Sequence, residues 1–303
     1  MFRRVQTLDV PADELRGLYL DLVKRSLTGA LAEDSDTILG GARSVGTGTL
    51  GEPGLNRATA AQVLKRGAHA AGRLANRFHL EIAYKRPYDP HLREVGQDWP
   101  SRSESMIGLR RMDNIQQAIA AIVADGVPGD LIETGVWRGG ATIFMRANLK
   151  AWGDTSRKVW VADSFQGLPE PDADTYAADA GDTHYQWGGL AVGVTTVRAN
   201  FERYGLLDDQ VEFLVGWFKD TLPTAPIEQL SLMRLDGDMY ESTIQALEPL
   251  YPKLAPGGFC IIDDFGSHVS QAQQAVHDYR TTHGITEEII DIDGTGAFWR
   301  KAG

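Results

Sequence analysis

The 303-residue chain has one cysteine, Cys260, inside the apolar run Phe259, Cys260, Ile261, Ile262. A single cysteine excludes a disulfide framework and suits a cytoplasmic protein, with the thiol as a small packing group. No apolar run approaches the ~20 residues of a membrane span, and residues 1–10 lack the apolar core of a secretory signal. A soluble protein with no membrane partner is expected. Basic residues are in deficit, 30 Lys and Arg against 41 Asp and Glu, and the net charge of −11 opposes attraction to nucleic acid or anionic lipid. There is no internal repeat. What the chain does have is 43% hydrophobic and 23% charged residues, enough to bury a full core in one α/β domain with an appendage.

The first hundred residues are irregular. Residues 12–31 and 58–78 have helical patterning, 37–56 are glycine-rich and read as a loop or linker, and 87–100 lack periodicity. Residues 112–126 form a clearer amphipathic helix, with Ile115, Ile119, Ile122 and Val123 on one face, Asp113 placed to cap it and Gly126 to end it. Beyond this point strands and helices alternate. Strand candidates are Asp130–Thr134, 158–162, Val211–Val215, Leu230–Leu235 and 259–263; helix candidates are 141–152, 192–204, 242–254 and Ser270–His283. Residues 287–292 and Ala297–Arg300 read as a closing antiparallel pair. Such alternation calls for a mostly parallel sheet covered on both faces.

Two strand candidates run out into carboxylates: Asp236 and Asp238 after the sixth residue of LSLMRL, Asp263 and Asp264 after FCII. As neighbours in an open sheet they converge at its carboxyl edge, where ligands bind. Several carboxylates there repel one another unless protons or a hard cation offset the charge, and an all-oxygen set suits Mg²⁺ or Ca²⁺ better than zinc. The turn LIETGVWRGG ends a strand at Glu133. Its glycines, Gly135, Gly139 and Gly140, do not follow the G-x-G-x-x-G spacing of a dinucleotide site. With a second acidic strand end at Asp163, this looser turn suits S-adenosylmethionine, Asp163 accepting from the ribose hydroxyls. The bland reading is a glycine turn kept for packing. Trp217, after Gly216 in VGWF, offers an aromatic face to an adenine or is a core residue. The five carboxylates of residues 170–182 read as a solvated loop, and His184 beside them as a substrate contact or a bystander. Asp238 with Glu241 also matches a capping box.

Taken in order, SMIGLRRMDNIQ, LIETGVWRGG, VADSFQGLP, VRANFERYGLL, VGWFKDTLP, LMRLDGDMYEST and IIDDF resemble the macrocin O-methyltransferase family. The similarity spans residue 18 to the C-terminus and is strongest over 105–264; residues 37–85 depart from the family pattern as a longer insertion. The resemblance implies an α/β class I Rossmann-like methyltransferase with a seven-stranded, mostly parallel sheet, helices on both faces and an N-terminal helical appendage. Residues 1–104 read as an appendage that is either a lid or an oligomer contact, and the resemblance makes 105–303 the methyltransferase domain of a homodimer. It implies S-adenosylmethionine and Mg²⁺ as cofactors and a sugar hydroxyl of a glycoside or polyketide-type natural product as the acceptor. The methionine part would lie along Glu133, Thr134, Gly135, Val136 and Trp137 under Met106, the ribose at Asp163 beside Ser164, Phe165 and Gly167, and the adenine near Gly216 and Trp217. Asp236, Asp263 and Asp264 match the metal ligands and Asp238 the general base, with His268 as a second candidate base. The competing functions are a catechol or phenol O-methyltransferase, a cofactor-binding accessory protein without turnover, and a nicotinamide oxidoreductase.

Overall fold

The structure, a computed structural model, describes residues 11–33, 36–39, 70–72, 74–75, 77–80, 82–85, 87–266 and 270–303. In chain order the main elements are α1 (Ala12–Leu27), β1 (Asp36–Leu39), β2 (Ile82–Lys85), α2 (Pro90–Val95), α3 (Leu109–Ala124), β3 (Asp130–Thr134), α4 (Gly140–Trp152), β4 (Val159–Asp163), α5 (Val194–Arg203), β5 (Val211–Val215), α6 (Phe218–Thr221), β6 (Leu230–Leu235), α7 (Tyr240–Leu250), β7 (Leu254–Ile262), α8 (Ser270–His283), β8 (Ile290–Asp291) and β9 (Ala297–Arg300). Seven strands form one sheet in the order β5-β4-β3-β6-β7-β9-β8, and β1 pairs with β2 in a separate two-stranded sheet. The first five strands of that order are parallel; β9 runs antiparallel to β7 and β8 to β9.

Parallel strands covered on both faces must be apolar on both, and β6 is buried along its whole length. Alternate residues divide between two cores. Leu131, Val161, Leu232 and Ile261 face α1, α3, α4 and α5, while Ile132, Trp160, Met233 and Cys260 face α7 and α8. Helix α4 is buried from Gly140 through Leu149 because it is enclosed on every side, by the sheet beneath and by α1 and α3 above. Leu20, Val23 and Leu27 of α1 belong to this same core, and Arg16 lays its guanidinium 3.8 Å from the centre of the Trp152 ring. Among the described residues no helix is long and apolar enough to cross a membrane.

Several local expectations are corrected. Helix α3 starts three residues before the expected position, at Leu109 after Gly108, and Asp113 pairs with Lys24 of α1 instead of capping it. Helix α7 starts at Tyr240, two residues early, and a 3-10 turn over Tyr251–Lys253 ends the helical stretch where a longer helix was expected. Residues 37–39, expected in a loop, pair with β2. Most of the helix expected at 58–78 lies outside the described residues, as does His268.

Candidate active site at the carboxyl edge of the sheet

The chain leaves β3 towards β4 and β5 on one side, then returns to lay β6 against the other side of β3. The carboxyl ends of β3 and β6 therefore flank the topological switch point, the ligand crevice of open α/β sheets. The backbone marks the same edge. Trp137, Phe165 and Asp238, just beyond β3, β4 and β6, have φ of 48°, 57° and 57°. Left-handed conformations cost a non-glycine residue about 1–3 kcal/mol each and gather at functional sites. Gly135, with φ 84°, has no alternative: a Cβ there would lie 1.6 Å from the main-chain oxygen of Asp236. That contact is how closely the β3 turn and the end of β6 approach.

On the β3–β4 side, Asp163 joins the two turns. Its Oδ2 accepts from the Val136 N–H at 2.8 Å and its Oδ1 from the Phe165 N–H at 2.6 Å. Burial pushes this carboxyl up, against the pull of those N–H groups. A carboxylate has about four lone-pair sites, so two main-chain bonds leave it able to accept hydroxyls. Ser164 donates to the Gly167 carbonyl at 2.8 Å and fixes the loop beyond. The Glu133 Oε2 and Thr134 Oγ1 atoms are enclosed without a hydrogen-bond partner of normal geometry, which marks the end of β3 as a place where a polar ligand is wanted. Residues 104–106 are laid across the start of α4. The Gly140 N–H donates to the Glu104 carbonyl at 3.1 Å, a Cβ on Gly140 would meet that of Ser105 at 2.4 Å, and Met106 is half-buried. Trp217 is also half-buried beyond β5, so it is not a core residue.

On the β6–β7 side, carboxylate oxygens of Asp236, Asp238 and Asp264 lie within 4.8 Å of one another. The Asp238 N–H donates to Asp264 Oδ2 at 2.9 Å. Burial pushes Asp238 up to about 8, with the charges of Asp236, Asp263 and Asp182 adding to it. Burial and neighbouring carboxylates also push Asp236 and Asp264 well above the usual range. Asp263 behaves differently. It pairs with Arg111 at 2.9 Å and with Arg234, and these guanidiniums outweigh its burial and hold it below the ordinary value. The expected metal set of Asp236, Asp263 and Asp264 is thus divided: Asp238 stands in the cluster, and Asp263 is turned to two arginines.

Three participants were not anticipated. Arg234, the penultimate residue of β6, is fully buried and pairs with Glu133, Asp263 and, at 3.0 Å, Asp236. Burial pushes Glu133 up to about 7 despite this partner. Arg111 bridges Asp263 to Asp293 at 2.7 Å and so ties α3 to the β8–β9 hairpin. Asp179 is fully buried and accepts from the N–H groups of Tyr240 and Glu241, at 2.8 and 2.9 Å, capping α7 from a distant loop. Its capping role displaces the capping-box reading of Asp238: the residue at the helix start is Met239, with no side-chain cap of its own. Of the five carboxylates in 170–182, Glu170, Asp172 and Asp174 are exposed as expected, while Asp179 and the side chain of Asp182 are buried.

Comparison with known proteins identifies the family. The family model described as Macrocin-O-methyltransferase (TylF) matches residues 16–301. The chain is 46% identical over 288 residues to a mycinamicin III 3''-O-methyltransferase of Micromonospora griseorubida, covering 94% of this chain and 96% of that protein. It is 61% identical over 213 residues to the 8-demethyl-8-(2,3-dimethoxy-alpha-L-rhamnosyl)-tetracenomycin-C 4'-O-methyltransferase of Streptomyces olivaceus, covering 70% and 80%. The solved structure of the O-methyltransferase NovP superposes with a TM-score of 0.76 at 40% identity, over 95% of this chain and 100% of that one. With a seven-stranded sheet, a glycine turn at its switch point and a family match over nearly its whole length, the chain belongs to the macrocin-O-methyltransferase family and is an S-adenosylmethionine-dependent O-methyltransferase.

Proposed function

We propose that the enzyme methylates a sugar hydroxyl of a glycosylated small molecule, with Mg²⁺ held at the β6–β7 edge. The observation that carries this reading is the convergence of Asp236, Asp238 and Asp264 within 4.8 Å, beside the turn that follows β3. The residues fit both groups. Three oxygen donors, two of them held far above the usual carboxylate range by burial and mutual repulsion, are the donor set of a hard cation. The unpartnered Glu133 Oε2 and Thr134 Oγ1, with the Asp163 carboxylate, suit the polar part of the cofactor. When bound, the cation supplies Lewis acidity that makes an alcohol easier to deprotonate, and the cofactor supplies an electrophilic methyl group.

The remaining work falls to the chain itself. Asp238, held in the cluster by its main-chain N–H on Asp264, is placed to accept the proton of the reacting hydroxyl. Arg234 holds Glu133 on β3 and Asp236 on β6 with one guanidinium, so the cofactor turn and the carboxylate cluster keep a fixed separation. Fixed separation matters because the attacking oxygen must meet the methyl carbon in line with its leaving group. A sugar acceptor is supported by the Streptomyces olivaceus relative, named as the 4'-O-methyltransferase of a rhamnosyl tetracenomycin. The reading also places the enzyme in the cytoplasm as a homodimer. The exposed stripe Leu15, Leu18 and Leu22 on α1, opposite its buried face, supports a contact between two copies.

The test is turnover of rhamnosylated and phenolic acceptors with and without a chelator, together with titration of Mg²⁺ into Asp264→Asn by calorimetry. Release of S-adenosylhomocysteine with the glycoside, its loss on chelation, and at least tenfold weaker Mg²⁺ binding in the variant are expected. Undiminished turnover in excess chelator overturns the metal role, and preference for the phenol overturns the acceptor class.

A further inference from the structure

We propose that His184, oriented by Asp182, positions the acceptor sugar through its Nε2 atom, and that the indoles of Trp187 and Trp99 form the apolar wall on which the acceptor lies. The proposal rests on the sugar-acceptor reading above and deepens it.

The loop that carries His184 is fastened on both sides of the crevice. Upstream, Asp179 caps α7, whose first residue is two beyond Asp238, and Tyr176 packs on Tyr240 with ring centres 6.2 Å apart. Downstream, the Gly189 carbonyl accepts from Trp137 Nε1 at 3.0 Å, on the turn that follows β3. The nine residues between Asp179 and Gly189 therefore bridge the β6 and β3 sides of the site. Asp182 stands close enough to Asp238 for its charge to help push that carboxyl up.

The histidine is held in one orientation. Asp182 Oδ1 accepts from the His184 main-chain N–H at 2.6 Å, and its Oδ2 lies 2.9 Å from Nδ1. The Asp182 side chain is 2% exposed and the His184 side chain 36%, so the carboxylate is buried while the ring reaches solvent. A carboxylate against Nδ1 fixes the ring and leaves Nε2 without a partner among the described residues. An oriented polar atom of this kind suits a sugar hydroxyl. The imidazole packs nearly perpendicular to Trp187 with ring centres 4.6 Å apart, and the Trp187 and Trp99 ring centres lie 6.3 Å apart. Trp187 is 37% exposed and Trp99 adopts φ 43°, a conformation rarely kept without a use. An apolar aromatic surface beside one oriented polar atom is how a site grips a sugar, whose ring has C–H faces and a hydroxyl rim.

Steady-state kinetics on a glycoside that the wild type methylates will test this. His184→Ala and Asp182→Asn should raise the acceptor KM roughly tenfold, the loss of one hydrogen bond. Trp187→Ala should do the same. His184→Gln, which restores an acceptor oxygen, should recover most of the loss, and cofactor affinity by calorimetry should stay within about twofold throughout. An unchanged acceptor KM in His184→Ala, equal losses in cofactor and acceptor binding, or no rescue by glutamine would each overturn the proposal. Failure of the wild type to methylate any glycoside would defeat the underlying acceptor reading instead, and a phenol assayed in parallel separates the two outcomes.

Discussion

Arg234 is the residue on which the site's electrostatics turn. A guanidinium near the end of a fully buried strand is tolerated only because Glu133, Asp236 and Asp263 surround it. Replacing it with methionine would keep the volume and strand propensity but leave Glu133 and Asp236 without this partner and Asp263 with Arg111 alone. Breaking a buried pair in this way costs about 3–5 kcal/mol. Urea denaturation of Arg234→Met should show that loss near neutral pH, and a variant as stable as the wild type would show that the pairs contribute little. The run LSLMRL announces a strand, and the arginine in it announces a need for partners. Which partners was not legible, because Glu133 is 101 residues away and meets Arg234 only through the parallel register of β3 and β6. The acidic strand ends, by contrast, were visible, since runs of apolar residues ending in Asp236 and Asp263 need no distant information.

At the scale of elements, periodicity located the strands of residues 109–303 and their helices apart from the four-residue α6, because enclosed strands are short apolar runs and longer helices show a face. Ends were less legible. Helix α7 was read two residues late because its cap comes from Asp179, and α3 three residues late because it starts after a glycine that donates no side-chain cap. Pairing order is a property of the whole sheet and was not legible in local pattern. Helix α1 illustrates the opposite limit. Its leucines at 15, 18 and 22 recur at i, i+3 and i+7 yet remain 52%, 61% and 55% exposed, while Leu20, Val23 and Leu27 are buried. Glu14 stands at one end of this stripe and Arg25 at the other. Two copies packed antiparallel about a two-fold axis would bury both stripes and set each acidic end by a basic one. Leu18→Glu should then convert a dimer to a monomer in light scattering, and an unchanged mass would remove α1 from the interface.

For the molecule as a whole, the carboxylate cluster couples folding, pH and metal. Asp238 is raised to about 8 and Glu133 to about 7, against unfolded values near 4, and Asp236 and Asp264 are raised as well. Between those limits the folded chain holds more protons than the unfolded one, so stability falls as pH rises from about 4 to about 8. Asp263 has the opposite sign: its depressed value contributes stability above about pH 4 that is lost on acidification below it, outside this window. A cation that binds the folded cluster displaces the protons and stabilises by mass action. The metal-free protein should therefore melt at a lower temperature at about pH 8 than at about pH 6, and saturating Mg²⁺ should raise the melting temperature more at the higher pH. Calorimetric titration near pH 7 in buffers of different ionisation enthalpy should register proton release on binding. Equal stabilisation at both pH values, with no proton release, would mean that Asp236, Asp238 and Asp264 do not act together on one ion.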